Sequence, residues 1–235
     1  MKYKAILFDM DGTLVPMEME AFTKTYFGLL AKKLLSFGIE TQTLIDAVWA
    51  GTGAMVNNDG SCNNETAFWE RFCVVTGLTR EAVQPISDDF YRREFDEAKA
   101  ATGENPLAAE AIRTAAEKAR HVVLATNPLF PMDGQITRMR WVGLTPEMFD
   151  LVTCYESDCY CKPNQKYYLS ICDRLGVQPS ECLMIGNDEN EDMDSAASAG
   201  MDCYLVTDCV IPCEGKTWQG PRGSFADMID FLKAL

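Results

Sequence analysis

The sequence is poor in histidine and in positive charge, and it lacks any long apolar run. His121 is the single histidine among 235 residues, and 21 lysines and arginines stand against 35 aspartates and glutamates, a net charge of −14. So acidic a chain repels phosphate backbones and anionic membranes, so we expect neither nucleic acid nor a membrane as a partner. No stretch approaches the roughly 18 apolar residues of a membrane span.

A signal peptide and a metal-binding cysteine pattern are also missing. The N-terminal apolar run, in MKYKAILFDM, is short and meets an aspartate at once, so we expect a cytoplasmic protein. Ten cysteines are scattered through apolar and helical segments. The closest three, Cys154, Cys159 and Cys161, are spaced unlike a paired C-x-x-C zinc site, and we interpret all ten as free thiols.

What is present is a regular alternation of short apolar runs and helical patterns. A hydrophobic content of 47% is ample for a packed interior. Runs typical of buried parallel strands are found at residues 3–8, 121–126, 182–185 and 203–206, with a weaker fifth at 150–154. Helical patterns lie between them at residues 106–119, 164–176 and 191–200. The alternation predicts an α/β fold with a parallel, doubly wound sheet.

The alternation stops between about residues 16 and 100, where no convincing strand is found. Apolar residues recur there every three to four positions, as in helices, and form two stripes: Phe22, Tyr26, Leu30, Leu34 and Phe37, then Phe68, Phe72 and Val75. We interpret both stripes as helical core rather than as ligand contacts. The polar segment MVNNDGSCNN between them indicates a turn around Gly60. The block is a helical insertion between the first and second strands.

Two carboxylates follow the first strand-like run. Asp9 and Asp11 are two positions apart, so their side chains leave the same sheet edge, which is where open α/β sheets bind ligands. Two anions there are costly without compensation, and a hard divalent cation is the simplest compensation. Gly12 permits a sharp turn and Thr13 adds a short polar side chain. Taken alone, the motif is equally typical of a turn with helix-capping acids.

Further polar residues follow the later strands. Thr126 and Asn127 end the second strand with a hydroxyl and an amide, and Lys162 stands just before a helix, where it can act as a point charge for phosphate. Asp188 and Asp192 lie four residues apart near the start of another helix. Each of these has an ordinary interpretation when taken alone, as a turn, a surface lysine or acids beside a helix N-terminus.

Together, and in this order, the four motifs resemble those of the haloacid dehalogenase superfamily of phosphohydrolases. The resemblance covers nearly the whole chain and extends to members with an α-helical cap, such as phosphoglycolate phosphatase and β-phosphoglucomutase. It implies a Rossmann-like core domain, residues 1–15 and 101–235, and an α-helical cap domain, residues 16–100. It also implies Mg²⁺-dependent hydrolysis of a small phosphorylated metabolite.

The resemblance implies a role for each matched catalytic residue. Asp9 would attack phosphorus and form an aspartyl-phosphate, and Asp11 would first protonate the leaving alcohol and then take a proton from water. Thr126 and Lys162 would hold the phosphoryl oxygens, whose charge must be offset before an anionic nucleophile can approach. The backbone amides of Met10 and Asn127 would help to bind phosphate.

The same resemblance implies a ligand set for Mg²⁺. The ion would be held by the carboxylates of Asp9 and Asp188 and by the backbone carbonyl of Asp11, with Asp192 and Asn187 supporting these ligands. The sequence departs from the family at Asn187, where glycine is usual. Whether Asn187 or Asp188 lies nearer the metal is left open.

Several functions compete with a phosphatase. A phosphomutase has the same core residues, and a non-catalytic phosphate and metal sensor would keep the same pocket, so both stay open as alternatives. A dehalogenase needs neither a metal nor a second acid, so the presence of Asp11 and of the pair Asp188 and Asp192 argues against it. A phosphonate hydrolase needs a lysine from the cap, and the cap segment WAGTGAMVNN contains none. No G-x-G-x-x-G follows the first strand, which argues against dinucleotide binding.

Selectivity for the leaving group should come from the cap, whose side chains share no code across the family. The polar residues flanking the Gly60 turn, Asn57, Asn58 and Asn63, are our candidates for contacts with the leaving group. The physiological substrate is not revealed. The oligomeric state is also open, with a monomer favoured.

Overall fold

A parallel sheet of six strands forms the centre of the molecule. The computed structural model describes residues 1–235 and every side chain except that of Ser36. The sheet has the order β3-β2-β1-β4-β5-β6, in which β1 pairs with both β2 and β4. Its strands are β1 (Ala5–Phe8), β2 (His121–Leu124), β3 (Leu151–Val152), β4 (Cys182–Gly186), β5 (Asp202–Val206) and β6 (Arg222–Gly223).

Helices cover both faces of this sheet, as a doubly wound fold requires. Successive side chains of β1 point to opposite faces, so Ile6 and Phe8 pack with one group of helices whereas Ala5 and Leu7 pack with another. The helices of the core are α5 (Ala108–Lys118), α6 (Met132–Trp141), α7 (Gln165–Leu175), α8 (Ser195–Ser198) and α9 (Phe225–Ala234). The α/β fold expected from the alternating pattern is confirmed.

The insertion between β1 and α5 is helical throughout. Its helices are α1 (Met19–Leu34), α2 (Thr41–Val56), α3 (Asn64–Thr76) and α4 (Arg80–Arg92), followed by a 3₁₀ segment, Glu94–Ala101. Helix α2 packs extensively on α3 and α1 packs on α4, whereas the two pairs touch each other sparsely. A space is therefore left between the pairs. We keep the word cap for residues 16–100 and core for the remainder.

The two connections between cap and core lie side by side. Met17 and Thr102 form an isolated antiparallel bridge, and the Gly103 N–H donates to the Pro16 carbonyl at 2.7 Å. The Asn105 side chain adds a bond to the backbone of the segment that enters the cap, at Leu14, at 3.0 Å. The cap is thus attached through one short paired ribbon rather than through two separate linkers.

Some elements differ from the sequence-based expectations. The helix expected at residues 191–200 is a π-helical turn, Glu189–Asp194, followed by the single helical turn α8. The short edge strand β6 and helices α6 and α9 were not expected. All ten cysteines are free in the described structure, and none of its helices is long and apolar enough to cross a membrane.

Candidate active site

The loops that follow β1, β2 and β4 meet at one edge of the sheet. They bring seven of the predicted site residues to the end of a single cavity, which is lined by Asp9, Asp11, Thr126, Asn127, Asn187, Asp188 and Asp192. Met10 and Lys162 are buried and do not line it. Parallel strands explain the convergence, because all their carboxyl ends lie at the same edge. The cavity continues from there into the cap.

Lys162 is bound to two of these carboxylates. Its Nζ donates to Asp9 Oδ1 at 2.8 Å and to Asp192 Oδ1 at 2.7 Å, and the lysine is only 1% exposed. Burial alone would lower the pKa of Lys162, but the negative charges of Asp192 and Asp9 outweigh burial and raise that pKa well above its usual value. The lysine is therefore a fixed cation that holds one oxygen of Asp9.

The segment after β4 is folded around its own acids. Asp192 Oδ2 accepts hydrogen bonds from the backbone amides of Asn187 and Asp188, both at 3.1 Å. Asp188 Oδ1 accepts from the backbone amides of Asn190 and Glu191, both at 2.8 Å. Four backbone donors are satisfied by two carboxylates, and the Met193 N–H donates to the Asp188 carbonyl five residues back, which makes this turn π-helical.

The Asn187 side chain joins the loop after β1 to the loop after β5. Its Nδ2 donates to the Cys209 carbonyl at 2.7 Å, and this leaves Oδ1 to accept from the Thr13 hydroxyl at 2.9 Å. The same hydroxyl lies 3.4 Å from Asp9 Oδ2. Gly12 has a φ of 87°, and a Cβ there would collide with the Asn187 side chain, so backbone conformation and space both demand glycine.

The groups around Asp9 suit a hard divalent cation. Carboxylate oxygens of Asp9 and Asp188, the amide oxygen of Asn187 and the carbonyl of Asp11 are all oxygen donors, which Mg²⁺ prefers. Among the described side chains no three histidine, cysteine or acidic groups converge as metal ligands. The fit to Mg²⁺ therefore rests on the kind of donor present, since carboxylate, amide and carbonyl oxygens are the ligands that this ion prefers.

The end of the cavity beside Asp9 and Thr126, which we call the phosphate end, offers several hydrogen-bond donors. Thr126 lines it, and the Thr126 carbonyl is held in place by the Thr153 hydroxyl at 2.6 Å and the Tyr167 hydroxyl at 2.9 Å. The backbone N–H groups of Met10 and Asn127 donate to no other backbone group of the described chain. The amide of Asn127, which lines the cavity, is therefore available to a phosphoryl oxygen.

The side chain of Asn127, unlike its backbone N–H, is bonded to two neighbouring loops. Its Oδ1 accepts from the Lys162 backbone amide at 3.2 Å, and its Nδ2 donates to Glu191 Oε2 at 3.0 Å. The amide therefore joins the loops after β2, before α7 and after β4. Burial raises the pKa of Glu191 to about 7, so this carboxyl adds less than a full negative charge beside the phosphate site at neutral pH.

Arg138, which the sequence did not single out, contacts the second carboxylate. It lies on α6 with no exposed surface, and it donates through Nη1 to Asp11 Oδ2 and through Nη2 to Gln135 Oε1. Its guanidinium also lies 4.2 Å from the centre of the Phe130 ring. Burial raises the pKa of Asp11, while the positive charge of Arg138 opposes the increase. Asp11 Oδ1 has no partner among the described groups.

The three cap asparagines considered for contacts with the leaving group do not line this cavity. Asn57 is exposed and donates to the Gly53 carbonyl at 2.7 Å at the end of α2. Asn58 bonds to its own turn, and Asn63 caps α3 by accepting from the Thr66 amide at 3.0 Å. The Asn63 Nδ2 also donates to the Glu156 carbonyl of the core at 2.8 Å. The side-chain amides of Asn57 and Asn58 are bonded within their own turn and helix end, as polar side chains in a tight turn often are.

Apolar side chains from the cap line the rest of the cavity, which has a volume of about 390 Å³. Phe22, Tyr26, Leu30 and Leu34 of the first predicted stripe are buried, and they also face this space. Phe68 and Phe72 of the second stripe do the same. Both stripes are thus at once part of the core of the cap and part of the cavity wall.

Residues 3–200 match the haloacid dehalogenase-like hydrolase family, and the chain belongs to that family. Members of this family generally use Mg²⁺. The match spans both segments of the core apart from the C-terminal residues, and it includes the whole cap.

Two characterised relatives are phosphatases. The N-acetylmuramic acid 6-phosphate phosphatase of Pseudomonas aeruginosa is 28% identical over 210 residues, covering 88% of this chain and 82% of that protein. The fructose-1-phosphate phosphatase YqaB of Escherichia coli is 24% identical over 208 residues, covering 87% and 97%. The chain is accordingly a phosphatase, a hydrolase of phosphoric monoesters.

Solved structures share the fold over nearly the full length. The HAD-hydrolase YfnB of Bacillus subtilis, bound to magnesium, superposes with a TM-score of 0.59 at 17% identity and covers 99% of both chains. CbbY of Rhodobacter sphaeroides, in complex with phosphate, gives a TM-score of 0.58 at 20% identity and covers 96% of each. At these identities the likeness concerns the fold alone.

Proposed function

We propose that the protein is a cytoplasmic, Mg²⁺-dependent phosphatase that hydrolyses a small phosphorylated metabolite through an aspartyl-phosphate on Asp9. One observation carries the proposal. The Asp9 carboxylate lies at the end of the cavity with one oxygen held by the buried ammonium of Lys162, and the Asp11 carboxyl lies two residues further on. A nucleophile, a cation and a second acid at one strand end are the parts that phosphoryl transfer to a carboxylate requires.

In this proposal Asp9 attacks phosphorus while Lys162 and Thr126 bind the phosphoryl oxygens. The buried lysine carries a full charge in a site of low dielectric, where its attraction for phosphate is strong. When bound, Mg²⁺ offsets the negative charge that the nucleophile and the phosphate share. The free amide of Asn127 adds a neutral donor that repels neither group.

Asp11 is proposed to protonate the departing alcohol and later to accept a proton from water. The raised pKa that burial gives Asp11 favours the protonated form that such an acid needs at the outset. Arg138 opposes that effect and holds one carboxyl oxygen, which leaves Oδ1 free to face the leaving group. The arginine would therefore act on Asp11 by positioning it.

The cavity supports a phosphatase over a phosphomutase. A mutase must hold a second phosphate group in the cap while the first is transferred, and that needs cations. No lysine or arginine of the described cap side chains lines the cavity. A non-catalytic sensor is disfavoured for a different reason, since the nucleophile, the second acid and the lysine are all in place.

The test is hydrolysis of p-nitrophenyl phosphate, with and without Mg²⁺, by the wild type and by Asp9→Asn. We expect Asp9→Asn to lose at least about a thousandfold in kcat, roughly 4 kcal/mol of barrier, because an amide is no nucleophile. Circular dichroism should show an intact fold. Asp230→Asn, an exposed acid on α9, serves as the matched control and should keep full activity.

Residual activity of Asp9→Asn within about tenfold of the wild type, roughly 1.4 kcal/mol, would remove Asp9 from the role of nucleophile. No turnover by the wild type at high enzyme concentration would favour the sensor.

A further inference from the structure

The cavity continues far beyond the phosphate end. One face of α1 lines it from Met19, through Tyr26, to Leu34. These first and last residues are fifteen positions apart, which is about 22 Å along a helix. Leu34 is 2% exposed and Val83, also in the wall, is fully buried. The space is thus long, and it ends inside the cap.

Its walls are apolar and largely aromatic. Phe27 meets Trp49 edge to face at 5.2 Å, and Phe68 stacks on Phe72 at 5.6 Å, so rings from α1, α2 and α3 line the space. The two helix pairs of the cap meet only sparsely, which is why a space remains between them. A volume of about 390 Å³ spread over this length suits a chain rather than a compact polar group.

No charged residue among the described cap side chains lines the cavity. The charged residues that line it all belong to the core and all are acids at the phosphate end: Asp9, Asp11, Asp188, Glu191 and Asp192. A leaving group with its own carboxylate, second phosphate or ammonium would be buried without an ionic partner among the described cap side chains, which is unfavourable.

Few hydroxyl groups are available to a polyol. The Tyr26 and Tyr91 hydroxyls are bonded to each other at 2.7 Å, so each has given up part of its capacity. Beyond them the cavity wall offers the hydroxyls of Thr23, Thr52, Ser87 and Tyr155 and a buried indole N–H, that of Trp69, which has no partner among the described groups. A sugar has a hydroxyl on nearly every carbon, and each one buried without a partner loses its hydrogen bonds to water. An apolar chain has no hydrogen bonds to water to lose, and its burial is favourable.

We propose, building on the phosphatase function above, that the substrate is the phosphate monoester of a long-chain apolar alcohol of the alkyl or isoprenoid type. Its phosphate lies among Asp9, Thr126 and Lys162, and its chain runs along α1 toward Leu34. Hydrolysis breaks the bond between phosphorus and the alcohol oxygen, water supplies the hydroxyl that ends on phosphorus, and the alcohol leaves with the proton.

The experiment measures kcat/KM for ethyl, butyl, octyl and dodecyl monophosphate and for geranyl and farnesyl monophosphate, each below its micelle concentration. Glucose 6-phosphate and fructose 1-phosphate are the polar comparison. We expect kcat/KM to rise by up to about fourfold per added methylene until the cavity is filled, and the sugar phosphates to fall below octyl phosphate. A preference for farnesyl over dodecyl, or the reverse, identifies the type of chain.

A flat chain-length series, or sugar phosphates that exceed every alkyl phosphate, would overturn this inference. Hydrolysis of p-nitrophenyl phosphate in the same preparation separates the two proposals. Turnover of that ester with a flat series rejects the chain and keeps the phosphatase, whereas no turnover of any ester rejects both.

A variant locates the chain within the cap. Leu30→Trp places a bulky ring about 16 Å along α1 from Met19, so it should shorten the chain length at which kcat/KM stops rising. Leu35→Trp is the control, because Leu35 is 61% exposed and does not line the cavity, and its optimum should match the wild type. Equal optima in both variants would contradict the proposed course of the chain. Quenching of tryptophan fluorescence in Asp9→Asn by dodecyl phosphate reports binding without turnover.

Discussion

The two ends of the cavity are built on opposite physical principles. At the core end, charge is paired with charge, as in the contacts of Lys162 with Asp9 and of Arg138 with Asp11. At the cap end the walls are rings and aliphatic chains, and the notable polar contact is a pair of tyrosine hydroxyls, Tyr26 and Tyr91. The cost of a substitution should differ accordingly between the two ends.

The difference follows from how each end is held. Strand ends of a central sheet place the catalytic groups, and the backbone hydrogen bonds of the sheet hold those groups close to one geometry. Contacts between apolar helices are less directional, so volume can be exchanged between neighbouring side chains at modest cost. In the proposed function the core end therefore carries the reaction, whereas the cap end can vary with the leaving group.

The largest effect should come from the proposed metal ligands, at the core end. We expect EDTA to abolish activity and Mg²⁺ to restore it. Asp188→Ala should raise the Mg²⁺ concentration needed for half-maximal rate by about a hundredfold, and Asn187→Ala by only about tenfold, because a carboxylate contributes charge whereas an amide contributes a dipole. Titration of the rate against Mg²⁺ measures both, with Asp230→Asn as the control. The reverse order would make Asn187 the closer ligand.

A smaller effect is expected at Arg138, whose aromatic neighbour Phe130 lies in the cavity wall. Arg138→Met removes the donors of two buried side-chain oxygens, Asp11 Oδ2 and Gln135 Oε1, and we expect the free energy of unfolding to fall by about 2 kcal/mol. Urea denaturation checks this. Arg140→Met, on the same helix but largely exposed, should stay within about 0.5 kcal/mol of the wild type. A similar loss in both variants would show that the Asp11 contact has no special weight.

The smallest effect should come from the asparagines of the cap. Asn63→Ala removes the N-cap of α3 and a bond to the Glu156 carbonyl, and it should cost about 1.5 kcal/mol of stability, while kcat/KM stays within about twofold of the wild type. Asn57→Ala, at an exposed helix end, should cost less. Thermal unfolding and steady-state kinetics measure the two quantities. A large loss of kcat/KM in Asn63→Ala without loss of stability would return this residue to the leaving-group contacts.

The sequence was sufficient to predict that the polar residues after β1, β2 and β4 lie at one edge of the sheet. A two-residue spacing after an apolar run, as in Asp9 and Asp11, points two carboxylates to one edge whatever the rest of the chain does. Parallel pairing then brings Thr126 and Asp188 to the same edge, because their strands are neighbours of β1. Local rules and the alternation of elements together predict this much.

Arg138 could not be predicted by the same rules. It lies in a helix that has arginines at positions 138 and 140, and nothing local distinguishes the buried one from the exposed one. Only the three-dimensional packing of α6 against the loop after β1 brings its guanidinium to Asp11. The two partners of a long-range ion pair cannot be recognised from a local pattern in a single sequence.

The cavity escaped prediction for a different reason. Periodicity shows that Phe22, Tyr26 and Leu30 share one face and are removed from water, and this is correct. It does not show whether that face meets another helix or an open space. The answer depends on how far apart the pairs α1–α4 and α2–α3 stand, which is a property of the tertiary packing.

The paired ribbon that joins cap and core has a consequence for how such a protein can diversify. Because Pro16 and Gly103 are hydrogen-bonded neighbours, the whole insertion begins and ends at one point of the core surface. A different helical insert with its ends equally close could be exchanged at this point without changing the distance that β1 and α5 must span. The ribbon is therefore a point at which the same core could be joined to a different cap.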